Sequence, residues 1–181
     1  MNPPAIAWDI EATGLVGDYG HLLCACILNM DNAEVEIFRL DDERYRQGKP
    51  HDDSALVKAI RDRIEDSFMW ITWNGKWYDV PMLDTRLRMA GEQALRRKLH
   101  ADIMYYARRP FIDICSSKLS NFAKAFLLEQ RKIDLDPIVW EGARALDSEC
   151  MDKVVEHCVA DVLILYQAWP ILCPYIKNIH Y

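Results

Sequence analysis

The chain predicts an α/β fold in which helices flank a mixed sheet, made of an antiparallel meander of three strands plus parallel strands. Three observations predict it. The first 40 residues hold three strand-like runs separated by Gly14, Gly17 and Gly20 and by the pair Asp31-Asn32. Beyond Asp53 the apolar period lengthens to that of a helix, and an apolar run then follows. A strand–helix–strand succession requires a crossover, so part of the sheet must be parallel.

The meander is read as AIAWDI, HLLCACIL and AEVEIFRL. A helix starting at Asp53 or Ser54 carries Leu56, Val57, Ile60 and Ile64 on one face, and FMWITW is the next strand. Asn74 and Gly75 close that strand, Pro81 fits the first turn of a second helix, and Gly91 fits its C-terminal cap. A short run around LHADIM follows. SSKLSNFAKAFLLE reads as a helix started by Ser116 or Ser117, with Leu119, Phe122, Ala123, Phe126 and Leu127 turned inward. The last helix starts near Asp147 or Ser148 and passes Asp161, with Pro170 and Pro174 expected to kink or end it.

A length of 181 residues suits one domain over 1–181, and 51% hydrophobic with 28% charged residues is a globular balance. No stretch approaches the roughly 20 apolar residues of a membrane helix, so no membrane partner is expected. MNPPAIAWDI lacks a basic stretch followed by an apolar run, which makes a cytoplasmic location the expectation. Cys24, Cys26, Cys115, Cys150, Cys158 and Cys173 form no CxxC pair and are expected to be buried free thiols, Cys24 and Cys26 on one strand face. The net charge of −6 is uneven: residues 81–140 carry +4, against −7 before them and −3 after them. Arg86, Arg88, Arg96, Arg97, Lys98, Arg108, Arg109, Lys118 and Lys124 are the candidate phosphate contacts, against the plainer reading of a solvated helix face.

The chemistry lies in three short motifs, WDIEATGL with Asp9 and Glu11, WNGKWYDVPML with Asp79, and HCVADVLILYQAW with Asp161. Strand alternation points Asp9 and Glu11 to one face, with Gly14 allowing a sharp turn beside them. Asp79 sits before Pro81, where an Asp is commonly a helix cap. His157 and Asp161 are four apart, on one helical face, which taken locally reads as an ordinary surface pair. Four carboxylates meeting at one place repel unless a cation neutralises them, so their convergence would make a site for a hard divalent ion such as Mg²⁺ or Mn²⁺.

Taken together and in this order, the motifs resemble those of the DEDD superfamily of 3′→5′ exonucleases, the DnaQ-like group of the RNase H-like fold, over nearly the whole chain. The intervals are 68 positions from Glu11 to Asp79 and 82 from Asp79 to Asp161. The resemblance implies that Asp9, Glu11, Asp79 and Asp161 hold two divalent metal ions, Mg²⁺ or Mn²⁺. Asp9 would bridge both, Glu11 and Asp161 would complete the site of the ion that activates water, and Asp79 would support the other. It implies His157 as general base, because a neutral imidazole accepts a proton near neutral pH. His157 stands four positions before the last Asp, the spacing of the tyrosine subgroup, whereas the histidine subgroup usually has five; Tyr166 and Tyr78 remain alternatives. Thr13, Gly14 and Leu15 would cradle the terminal nucleotide, and Asn74 the penultimate one. Trp73, Trp77 and Tyr78 are placed either along a single-strand channel or in the core.

The implied activity is metal-dependent removal of nucleotides from 3′ ends of single-stranded nucleic acid, releasing nucleoside 5′-monophosphates. The short third motif, with polymerase-B-like spacing, favours DNA over RNA slightly. The rival readings are a non-catalytic nucleic-acid or protein-binding member of the fold, an RNase H-like endonuclease, and a subunit docking on a polymerase or other replication or repair partner.

Overall fold

The computed structural model describes residues 3–46, 49, 51–177 and 179. Strands β1 (Ala5–Ala12), β2 (Leu22–Asn29) and β3 (Val35–Arg39) form the antiparallel meander. Helix α1 (Ser54–Glu65) crosses to β4 (Met69–Thr72), parallel to β1, and α2 (Asp79–Met89) leads to β5 (Leu99–Asp102), parallel to β4. The sheet order is β3-β2-β1-β4-β5, which makes β1 central and β5 an edge. The helices α3 (Leu119–Ala125), α4 (Pro137–Arg144) and α5 (Ser148–Leu172) complete the chain. This is the mixed, helix-flanked sheet that the sequence predicts.

Alternation along β1 divides the core in two. Ile6, Trp8 and Ile10 face the apolar stripe of α1 (Leu56, Val57, Ile60, Ile64) and Met82, Leu83 and Leu87 of α2. Ala7, with Cys24, Cys26 and Leu28 of β2, faces the other layer, where α5 supplies Val154, Cys158, Val162 and Leu165. Because apolar side chains surround α5 on most of its circumference, it is long and apolar enough to span a membrane. This corrects the expectation that no stretch approaches that character. Its apolar surface is taken up by the sheet, and it carries buried His157 and Asp161, which makes it a core helix.

Three expectations change at element ends, and one helix is additional. Helix α3 starts after Lys118 rather than at a serine cap; the Ser116 hydroxyl accepts the Lys118 N–H at 3.2 Å and so forms a turn just outside it. Leu127 is exposed rather than inward, because the helix ends in a left-handed turn at that residue (φ 53°), and Leu128 becomes the buried side chain. Helix α4 was not foreseen; Asp136 caps it by accepting the Ile138 N–H at 2.9 Å, and Pro137 fills the position where no N–H is needed. Helix α5 runs through Pro170 to Leu172, because Pro170 and Tyr166 lie on the exposed face, where water can take the carbonyl that proline leaves unbonded. Of the six thiols only Cys24, Cys26 and Cys158 are buried; Cys115 and Cys173 are exposed and Cys150 is half-buried.

Helices α4 and α5 approach closely at Gly142, where a Cβ would stand 2.3 Å from Cys150 Sγ and 2.9 Å from its Cβ. Gly142→Ala should therefore destabilise by about 1–3 kcal/mol in urea unfolding, although the same change in an open helix stabilises. Adding Cys150→Ala should recover part of that loss.

Candidate functional site

Asp9 and Glu11 share the face of β1 that α5 covers, opposite Cys26 and Cys24 of β2. The register slips between Glu11 and Ala12, so Leu23 is an extra residue in β2 and the strand end bends beside the acids. The Cys158 thiol lies 3.5 Å from the Asp9 carbonyl and 3.6 Å from its Oδ2, and so supports the strand from α5. β1 outruns β4, whose pairing ends at Ala7 and Ile71, and Asp79 Oδ1 accepts the Ile10 N–H at 3.1 Å. Asp79 is thus the first residue of α2 but not its cap; Tyr78 holds that position without a side-chain bond.

His157 and Asp161 are not a surface pair. They are 8% and 4% exposed and project from one face of α5 toward β1. Asp9, Glu11, Asp79, His157 and Asp161 line one cavity of about 570 Å³ with Trp73, Asn74 and Tyr78. Asn74 adopts φ 68°, and its N–H, with that of Lys76, is held by the Asp102 carboxylate at the end of β5 (2.9 and 3.1 Å). Thr13, Gly14 and Leu15 lie outside the cavity wall. The Thr13 hydroxyl accepts the His21 N–H, the Gly14 carbonyl accepts the Tyr78 hydroxyl at 3.2 Å, and the Leu15 side chain is exposed.

The electrostatics are those of concentrated negative charge. Burial, then Asp79, Glu11 and Asp161, push the Asp9 carboxyl well above the usual carboxylate range. Burial also raises Asp79, to about 7, against the lowering effect of the Ile10 N–H. Asp161 Oδ1 is buried and has no hydrogen-bond partner among the described residues, while its other oxygen is paired with the Lys132 ammonium. Glu11, His157 and Asp161 each offer a ligand atom within 4.8 Å of the others. A hard carboxylate oxygen set with one orphaned oxygen, on Asp161, fits a divalent ion such as Mg²⁺ or Mn²⁺.

His157 is held on both sides. Its Nδ1 meets the Ile133 carbonyl, which can only accept, so Nδ1 carries the proton. Its Nε2 lies 3.2 Å from Glu11 Oε1, and the Trp140 ring stands edge-on to the imidazole at 5.8 Å. Burial opposes the imidazolium, but the Glu11 hydrogen bond and charge prevail and raise the His157 pKa. Lys132, Ile133 and Trp140 were not found by the sequence reading. They lie on the 126–136 segment and on α4, where no motif or apolar period marks them.

Several candidate phosphate contacts are otherwise engaged. Arg86 forks onto buried Asp53 at 2.7 and 3.0 Å, Arg88 pairs with Asp84, Arg96 with Glu65 and Arg109 with Asp113. Lys98 donates to the carbonyls of Glu65 and Ser67. Lys118 lines the acidic cavity. Trp73 is half-buried there, with its Nε1–H on the Ser117 carbonyl at 3.1 Å, whereas Trp77 is exposed and so does not take the core role that was its alternative.

The model of the RNase_H superfamily matches residues 6–168, and the chain belongs to that superfamily. No curated protein matches it by sequence. Among solved structures it is similar to a family B DNA polymerase from the hyperthermophilic archaeon Pyrobaculum calidifontis, with a TM-score of 0.75 at 16% identity. The match covers 97% of this chain and 25% of the polymerase, so the chain spans about a quarter of that protein's length. At this identity the likeness is one of fold.

The raised carboxyls fix a pH dependence. Asp79 keeps its proton in the folded chain up to about pH 7, whereas an unfolded Asp releases it near 3.9. The stability linked to it is therefore full below that lower value and is lost as pH rises through the folded one. Asp9 and His157, both raised, act in the same direction. The metal-free melting temperature should thus fall from about pH 5 to about pH 8, and the increment on adding Mn²⁺ should grow over that interval. An increment independent of pH would count against a carboxylate-built cation site. Lys132→Met, which strands Asp161, should lower metal-free stability by about 1–3 kcal/mol and enlarge the Mn²⁺ increment.

Proposed function

We propose that residues 1–181 act as a single DEDD-type, DnaQ-like 3′→5′ exonuclease domain that hydrolyses single-stranded nucleic acid, DNA somewhat in preference to RNA, and releases nucleoside 5′-monophosphates. The observation that carries this reading is the convergence of Asp9, Glu11, Asp79 and Asp161, from three distant motifs, on one cavity beside a histidine whose Nδ1 is committed to a carbonyl. The fold it shares with a DNA polymerase supports a nucleic-acid substrate. Two Mg²⁺ or Mn²⁺ ions, held by Asp9, Glu11, Asp161 and, more remotely, Asp79, would supply an activated water and neutralise the phosphate and the leaving 3′-oxygen.

The side chains divide the remaining work. Neutral His157 has its lone pair at Nε2, the atom facing Glu11 and the cavity, and there takes the proton of the attacking water. Oxygen bonds to phosphorus, the P–O3′ bond breaks to release the nucleoside 5′-monophosphate, and the 3′-oxygen of the shortened strand takes a proton from solvent to become a hydroxyl. Within the continuous helix α5, a spacing of four brings His157 and Asp161 to the same wall, which suits the histidine to the place that tyrosine holds in relatives of this spacing. Lys132, paired with Asp161 and lining the cavity, would offer its positive charge to an incoming phosphate were a divalent ion to take over Asp161. Trp73, Asn74 and Tyr78 form the wall against which the terminal nucleotides rest. Gly14 and Thr13 position the Tyr78 hydroxyl and the bend after β1, and Leu15 lies exposed for contact with a base.

Incubation with end-labelled single-stranded DNA and RNA should show stepwise shortening from the 3′ end that needs Mg²⁺ or Mn²⁺ and stops with EDTA. Asp9→Ala and Asp161→Ala should abolish it, and His157→Ala should slow turnover by about 10²–10⁴ with little change in binding. A circular single strand should survive intact; its cleavage would transfer the assignment to an endonuclease.

A further inference from the structure

A second cavity, of about 620 Å³, opens at the β5 edge, and Met104 lines both it and the acidic one. The turn that places Asn74 and Tyr78 in the acidic site places Lys76 and Trp77 in this second wall. Its charge is opposite to that of the whole chain. Lys76, Arg97 and Arg108 line it and make no ion pair with a carboxylate among the described residues, and Lys98 is bonded only to carbonyls. Asp102, the one carboxylate in the wall, is committed to the N–H groups of Asn74 and Lys76.

The exposed apolar surface in this wall is aromatic. Trp77 is 77% exposed and Tyr105 52%, and the Arg108 guanidinium lies 4.9 Å over the Tyr105 ring. The open indole of Trp77 and the Tyr105 ring, one side of it shared with Arg108, interleaved with cations that have no carboxylate partner, match a strand of alternating bases and phosphates, since bases stack on aromatic rings and phosphates pair with Lys and Arg. A purely apolar or acidic peptide would satisfy only one half of that surface.

We propose that this basic, aromatic groove binds the single-stranded nucleic acid upstream of the 3′ end, bases on Trp77 and Tyr105 and phosphates on Lys76, Arg97 and Arg108, and so holds the strand whose end lies in the acidic cavity. The groove rests on the nuclease reading for the direction of the strand, but its binding is measurable without cleavage.

The test uses the full chain and the variant Trp77→Ala/Arg97→Glu/Arg108→Glu, with folding checked by circular dichroism. Fluorescein-labelled oligothymidylates of increasing length are titrated in Ca²⁺ by anisotropy, and hydrolysis of thymidine 5′-monophosphate p-nitrophenyl ester is measured in Mn²⁺. In the wild type, affinity should rise with length beyond a few nucleotides. The variant should lose about tenfold or more on the longer strands, with a salt slope lower by about 1–2, since each phosphate contact to a single strand contributes about 0.7. Hydrolysis of the ester, too short to reach the groove, should be unchanged. Single changes Trp77→Ala and Arg97→Glu, both at exposed side chains, should each lose part of the long-strand affinity, which gives a readout should the triple variant unfold; no loss in either would overturn the groove. Long-strand affinity and salt slope equal to wild type would overturn the groove while leaving the exonuclease intact. Displacement of the labelled strand by poly-glutamate at a lower concentration than by unlabelled oligothymidylate would overturn it in favour of an acidic protein partner. Length-dependent binding that the variant loses, with neither ester nor strand cleaved, would keep the groove and sink the nuclease.

Discussion

Everything in this molecule depends on one constraint: carboxylates that repel one another are forced together by the alternation of a central strand. Ile6, Trp8 and Ile10 cannot leave the α1–α2 layer without exposing a core, so Asp9 and Glu11 must face α5. Helix α5 in turn must lie against β1 and β2 to bury its own apolar surface, and this brings Asp161 to the same place. The hydrophobic ordering of the two layers thus imposes an unfavourable concentration of negative charge, which the chain meets with raised carboxyl pKa values and the Lys132 ion pair. The cost lies where a cation can remove it.

Two features then convert a charged cleft into an ordered one. The Ile10 N–H fixes Asp79, tying the start of α2 to the end of β1, and the Ile133 carbonyl fixes the orientation of the His157 ring. Each is a bond from a backbone group, whose position the fold determines, to a side chain that would otherwise rotate. Cys158, between Asp9 and the core, lets α5 approach the strand more closely than a branched residue would.

How legible this was in the sequence follows from the range of the interactions. The meander, the stripe of α1 and the shared face of Asp9 and Glu11 depend on periodicity over a few residues, and they stand in the structure as read. The left-handed end of α3, which exposes Leu127, and the eight-residue α4 depend on caps and turns too short to impose a period. The bond from Asp79 to Ile10 joins residues 69 apart, and Lys132 reaches Asp161 from a segment with no regular structure, so neither leaves a local mark. Arg86 was misread because a basic residue on a helix looks solvated until its partner, Asp53, is seen buried beneath it.

The 126–136 segment deserves a final consequence of its position. It provides both the ammonium on Asp161 and the carbonyl that orients His157, yet its backbone follows neither sheet nor helix, being anchored by Leu128 and by the Gln130 N–H on the Gln167 side chain at 3.1 Å. Shortening or lengthening it by a single residue would leave the sheet and its acids in place while separating the contact that orients His157 from the ion pair on Asp161. An insertion there should be poorly tolerated, although nothing in its composition distinguishes it from an ordinary link between two helices.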